Sequence, residues 1–187
     1  MNRRTILALA VLFTSSVAPG SKAQSSDVSE KGRYSNYDYA YSVLVPPGTT
    51  AFRDQAPFPN HGFLIDISKS EQSYLWVDAS YNAAEWASFD EAVRANLRYL
   101  RDEGAANIIL EKQSSTYLSR LQAIRFIVRY DLSGKQMVQE TVLAFRREKN
   151  KEEIVYSISL RSLAARFERD RMAIEELRRT WGLQRQP

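Results

Sequence analysis

His61 is the only imidazole in the 187 residues, and there is no cysteine. Thiol nucleophiles, disulfides, iron–sulfur clusters and cysteine zinc sites are therefore excluded, as is an all-histidine metal site within one chain. A serine or threonine nucleophile needs a base beside it, His61 is the only imidazole available for that, and no Gly-x-Ser-x-Gly elbow exists. His61 lies in Pro57-Phe58-Pro59-Asn60-His61-Gly62, a loop where local hydrogen bonding is the commoner use of a lone histidine. Asp66, Asp78 and Glu85 could join it around a metal, but their spacing is only that of ordinary strand alternation. The seven glycines are scattered at 20, 32, 48, 62, 104, 134 and 182, so neither a dinucleotide fingerprint nor a phosphate loop can be written. No catalytic, cofactor-binding or metal residue is assigned.

Aromatic side chains carry more information. Tyr34, Tyr37, Tyr39 and Tyr41 fall within eight residues, and Tyr74, Trp76, Tyr81 and Trp86 follow further on. Such side chains bring large contact area with few rotors and a polar tip, which suits a binding surface. Strands also favour them for packing alone. The candidate partner-binding residues are Tyr74, Trp76 and Trp86, with Phe58 and His61 on the rim formed by the long loop Thr49–Gly62.

The formal charge of +4 overstates the basicity of the folded part. Residues 1–23 hold Arg3, Arg4 and Lys22 and no acid, leaving 23 basic and 22 acidic side chains in the other 164. A near-neutral chain has no bulk attraction for nucleic acid. Arg3-Arg4, the apolar run Ile6 to Phe13 and Ser21-Lys22-Ala23 form a signal peptide, with cleavage expected after Ala23. Eight apolar residues fall far short of the roughly twenty that span a bilayer, so stable membrane insertion is not expected. Lipid anchoring would require a cysteine. The product is expected to be soluble and exported, periplasmic or secreted, with the export route open.

The remaining 164 residues suit one domain whose core needs no staple. Residues 24–33 are polar and read as a flexible leader, residues 34–183 as the domain, and 184–187 as a tail. A first strand is expected over Asn36–Val45, ended by Pro46-Pro47-Gly48. Alternation predicts strands over Phe63–Ser68 and Tyr74–Tyr81. Ser88-Phe89-Asp90-Glu91 is a capping box, and Phe89, Val93, Leu97 and Leu100 form one helical stripe that stops at Gly104. Four strands follow, over Asn107–Lys112, Ser119–Tyr130, Gln136–Arg147 and Ile154–Leu160, the last three as an antiparallel meander. In the last of them Val155, Ser157, Ser159 and Arg161 make one face polar toward its end.

A second helix over Ala164–Thr180 buries Phe167, Ile174, Leu177 and Trp181. Its opposite face is a solvated charge lattice, with Arg171–Glu175 and Glu175–Arg179 pairs expected. The fold class is α+β: an antiparallel sheet of about six or seven strands with helices on both faces, an α/β/α sandwich.

Three phrases carry a resemblance: Tyr39-Ala40-Tyr41-Ser42-Val43-Leu44-Val45-Pro46, Ser119-Arg120-Leu121-Gln122-Ala123-Ile124-Arg125, and Ile154-Val155-Tyr156-Ser157-Ile158-Ser159-Leu160 before the closing Phe167–Trp181 segment. With the element order, they make residues 34–183 similar to the PsbP-like superfamily. The resemblance implies a compact antiparallel sheet flanked by helices, and binding or assembly rather than catalysis. No binding residue is carried over from it. The expectation is a non-catalytic module for a protein partner, with a small-ligand carrier having an apolar pocket, then an unrecognised hydrolase, as competitors.

Overall fold

The computed structural model describes residues 29–30, 32–53, 61–68, 73–147 and 152–184. The signal segment and Phe58 lie outside them. The elements are β1 (Ser29–Glu30), β2 (Arg33–Asn36), β3 (Tyr41–Leu44), β4 (Ala51–Arg53), β5 (Gly62–Ser68), β6 (Ser73–Tyr81), α1 (Phe89–Asp102), β7 (Ala106–Leu118), β8 (Leu121–Leu132), β9 (Lys135–Arg146), β10 (Ile154–Leu163), α2 (Phe167–Thr180) and β11 (Gly182–Leu183). The main sheet runs β1-β4-β5-β6-β10-β9-β8-β7, seven strands plus the two-residue β1, and every pair is antiparallel. A smaller sheet runs β11-β3-β2.

Alternation along the central strands divides the core in two. Tyr156, Ile158 and Leu160 of β10 and Ala123 and Ile127 of β8 join Ile174 and Leu177 of α2 in one cluster. Val155 of β10 and Ile124, Phe126 and Val128 of β8 join Ala92, Val93 and Leu100 of α1 in the other. A period of two sends consecutive residues to opposite sides of a strand, so both helices find apolar surface without sharing it.

The capping box forms. Ser88 Oγ accepts from Glu91 N at 3.3 Å, and Glu91 Oε2 accepts from Ala87 N at 2.7 Å. Gly104, just past the helix end, takes a φ of 89°, where only glycine is unstrained.

Several expectations change. The first strand is a hairpin, because Tyr37–Ala40 turns the chain and Ala40 sits at a φ of 52°. Its strands belong to the smaller sheet, not the main one. Tyr34, Tyr39 and Tyr41 are buried there, with Trp181 stacked on Tyr41 at 6.0 Å, and Tyr37 alone of the cluster is exposed. Core packing accounts for those tyrosines. Within the stretch expected as leader, Ser29–Glu30 pairs with β4, which needs backbone groups rather than apolar side chains. The long loop likewise contributes β4.

The charge lattice of α2 is also rearranged. Arg171 pairs with Glu168, Arg178 with Glu175 and Arg179 with Glu176, all three residues apart rather than four. Part of that face turns onto the sheet: Arg171 reaches Glu140 at 3.1 Å, and Glu175 reaches Arg125 at 3.3 Å. No helix among the described residues is long and apolar enough to cross a membrane.

Candidate functional site

A groove of about 940 Å³ opens over the residues of β6, β10 and β9 that point away from the α2 cluster. Register explains its floor. Arg161 of β10 stands between Tyr74 of β6 and Gln139 of β9, Ser159 between Trp76 and Thr141, and Ser157 between Asp78 and Leu143. Each row crosses three strands. Polar residues at these positions would be costly under a packed helix, but α1 covers the neighbouring part of the sheet and reaches this groove through Asn96, Tyr99 and its C-terminal cap Glu103.

The floor is hydrogen-bonded within itself. Thr141 Oγ1 and Ser159 Oγ share a bond of 2.9 Å, and Gln139 Nε2 donates to Thr141 Oγ1 at 3.4 Å. Arg161 Nε and Nη2 both reach Gln139 Oε1 at 3.4 Å, and Nη2 pairs with Glu103 Oε2 at 2.6 Å. The Arg161 guanidinium also lies 6.0 Å from the Trp76 ring centroid and 5.8 Å from that of Tyr130, within cation–π range.

Of the five candidates from sequence, the structure brings four to this groove: His61, Tyr74, Trp76 and Trp86. Trp86 is fixed by Asn82, whose side chain accepts from its N–H at 3.1 Å and donates to its carbonyl at 3.0 Å. His61 is held from several sides. Its Nδ1 lies 2.8 Å from the Ala79 carbonyl, which can only accept, so Nδ1 carries a proton; its ring stacks on Tyr39 at 5.5 Å. The His61 carbonyl accepts from Tyr41 Oη at 3.0 Å and from Ala79 N at 2.9 Å. These contacts fasten the loop to the hairpin and β6, a structural use of the residue.

Among the described residues no group of three or more His, Asp or Glu side chains is placed to hold a metal ion. Sequence reasoning missed Gln139, Thr141, Tyr99 and Glu103 altogether. The polar alternation of Ser157, Ser159 and Arg161 was visible, but not that it faced Trp76.

Buried phenols ring the site and its approaches. Burial, the leading cause, pushes the Tyr130 hydroxyl from 10.0 up to about 12, with Arg161 pulling it down and Glu103 pushing it up. Burial does the same to Tyr39, up to about 12. A phenol held protonated by folding contributes stability that is intact below the ordinary value of 10.0 and is lost as pH rises through about 12. Urea unfolding is therefore expected to show stability falling above about pH 10, less steeply in Tyr130→Phe. Equal slopes for the two proteins would show that Tyr130 ionises no later than a free phenol.

A main antiparallel sheet, a terminal helix on one apolar cluster and a second helix on the other define an α+β protein of the PsbP/Mog1 fold. LpqN of Mycobacterium tuberculosis, involved in cell envelope biogenesis, matches with a TM-score of 0.60 at 9% identity over 85% of this chain and 93% of its own. Cyanobacterial PsbP (CyanoP) of Synechocystis matches at 0.56 and 12% identity, covering 89% and 98%. The Ran-binding protein Mog1p of Saccharomyces cerevisiae matches at 0.53 and 13%, covering 82% and 95%. These identities establish kinship of fold alone. No protein-family model matches the sequence, and no curated protein matches it in sequence.

Proposed function

We propose that the chain is an exported, non-catalytic binding module that holds a protein partner in the groove between α1 and β6. The observation that carries this reading is the convergence of Tyr74, Trp76, Trp86 and Tyr99 on one concave surface with a polar floor. Rigid aromatics around hydrogen-bonding groups are the usual makings of a binding hot spot. The architecture is taken as an α/β/α sandwich, supported by the separate clusters of α1 and α2. One protein of similar fold binds Ran and another is involved in cell envelope biogenesis, which is compatible with binding or assembly work. The basic, apolar and small-residue segments before Gln24 support export.

The test is capture from the exported fraction with the tagged mature chain. Trp76→Ala and Trp86→Ala together are expected to reduce partner recovery at least about tenfold, the scale of one hot-spot residue, with little change in melting temperature. Undiminished capture removes the groove from the interface. N-terminal sequencing of the same material is expected to begin at Gln24. A groove of 940 Å³ also lies within the ligand-pocket range of about 300–1,000 Å³, which favours the small-ligand carrier as second reading. A small molecule retained in native mass spectrometry would select it.

A further inference from the structure

β7 leaves one long margin of the main sheet open. It stands at the end of the strand order and pairs with β8 alone, so along Ala106–Leu118 the backbone groups of its other margin meet no strand among the described residues. The opposite end of the sheet is blunted, since β1 there has two residues and β4 beside it three. Short length, proline and charge are the usual protections of an edge. β7 is 13 residues long, holds no proline, and carries no charged side chain from Gln113 to Leu118. Its two irregularities fall before Lys112, and from Lys112 to Leu118 the register with β8 is unbroken.

Both helices pin this run. Gln113 Nε2 donates to Asp90 Oδ1 of α1 at 2.8 Å, and Arg178 Nη2 of α2 donates to Thr116 Oγ1 at 3.0 Å. A strand already held extended loses little freedom when it pairs. β7 also carries Ile109, Leu110 and Tyr117, three of the eight large apolar side chains exposed among the described residues. Tyr117 is 64% exposed, and the period of two puts it on the α1 side of the sheet with Gln113.

We propose that β7 pairs with β7 of a second copy of this chain, antiparallel and centred on Ser115. Ser115 is the midpoint of the unbroken run, so every residue from Lys112 to Leu118 finds a partner. In that register Gln113 stands opposite Tyr117 of the second copy and Ser114 opposite Thr116, which covers the exposed phenol and matches hydroxyl to hydroxyl. Lys112 meets Leu118, so no like charges face each other, and Glu111 falls beside the Ser119-Arg120 turn of the second copy, opposite in sign. Other centres fare worse: Glu111 or Lys112 on the axis would face itself, and Thr116 on the axis would set Lys112 against Arg120. The contact closes on itself, because once β7 is consumed only the short β1 and β4 edges remain and the sheet stops at two copies. Opposed residues of antiparallel strands share a face, so both copies carry α1 on the same side. The pairing stands on the strand alone; with the groove read as a binding site, it sets two grooves side by side, their β10 strands seven strand spacings or about 34 Å apart, and makes the module bivalent.

The test is sedimentation velocity of the mature chain over about 1–500 µM, since a single strand pair is a small interface of the weak, reversible class. The native protein is expected to pass from monomer to dimer within that range. Ser115→Lys and Ser115→Asp each set like charges across the axis, and each is expected to weaken the dimer about tenfold. Ser115 is exposed, so neither variant should change the melting temperature. An equimolar mixture of the two variants, which brings opposite charges together at the axis, is expected to dimerise again. A native chain that stays monomeric throughout leaves β7 to a foreign strand and overturns the self-pair. A dimer that persists undiminished in both variants overturns it too, because the contact then lies on another face, as does a mixture no stronger than its components. The groove is judged separately by the Trp76 and Trp86 capture.

Discussion

Glu140→Ala is expected to lower the unfolding free energy by about 3 kcal/mol, the effect of stranding charges that have lost their buried partner. Glu140 is wholly buried on β9, where its carboxylate contacts Arg125 Nη2 at 2.8 Å and Arg171 Nε at 3.1 Å. The angles are poor for hydrogen bonding, so attraction between charges, in a place water does not reach, does most of the holding. Removing the carboxylate leaves two guanidiniums between α2 and the sheet. Glu175 and Glu168 compensate in part, since they contact Arg125 and Arg171 from the helix. The comparison is Glu175→Ala, whose carboxylate is 42% exposed and whose loss should cost below about 1 kcal/mol. Chemical denaturation of both variants decides the matter. If Glu140→Ala costs no more than Glu175→Ala, the network is weaker than its burial implies. Amide exchange over Phe167–Thr180 should quicken in the same variant, because α2 is the element those arginines tether.

Gly62→Ala is expected to cost about 3 kcal/mol or more, for a steric reason alone. A Cβ there would stand 1.8 Å from the Val77 carbonyl oxygen and 2.8 Å from its carbon. Both are backbone atoms in the pairing strand, so no side chain can swing aside and β5 must part from β6. Gly182→Ala is the matched control, because nothing lies within 4 Å of a Cβ at that position. In a domain this size, 3 kcal/mol corresponds to a fall of roughly 6–12 °C in Tm. A variant that melts with the native protein would mean that the strands separate there at little cost. Partner capture should fall too, since Gly62, Val77 and Asp78 all line the groove.

Much of this architecture is legible in the chain. The capping box at Ser88, the stripes of both helices and the period of two through β6 and β10 rest on local geometry, which operates over a few residues. The hairpin at Tyr37–Ala40 was not legible, because its turn uses Ala40 at positive φ without a glycine to announce it. Nor could the i,i+3 pairs of α2 be separated from i,i+4 ones, since both spacings bring side chains together on a helix.

The candidate site divides the same way. Tyr74, Trp76 and Trp86 stand out by residue type, and His61 by its rarity. Phe58 lies outside the described residues, so the fifth candidate keeps the standing of an expectation. Gln139, Thr141 and Glu103 carry no signal of their own, because a polar residue on a strand or at a helix end is ordinarily solvated.

By itself the sequence determined which side chains share a face, and which chemistries the lack of cysteine and of a second histidine removes. Only the tertiary structure decided which faces meet. β6 and β10 are neighbours although 72 residues separate Tyr81 from Ile154's side of the meander, and their pairing puts Trp76 beside Ser159 and Tyr74 beside Arg161. The same folding turned the charged side of α2 onto Glu140. Periodicity is a property of one segment, whereas a groove or a buried ion network is a property of two segments pressed together, and the burial that favours their meeting is non-directional.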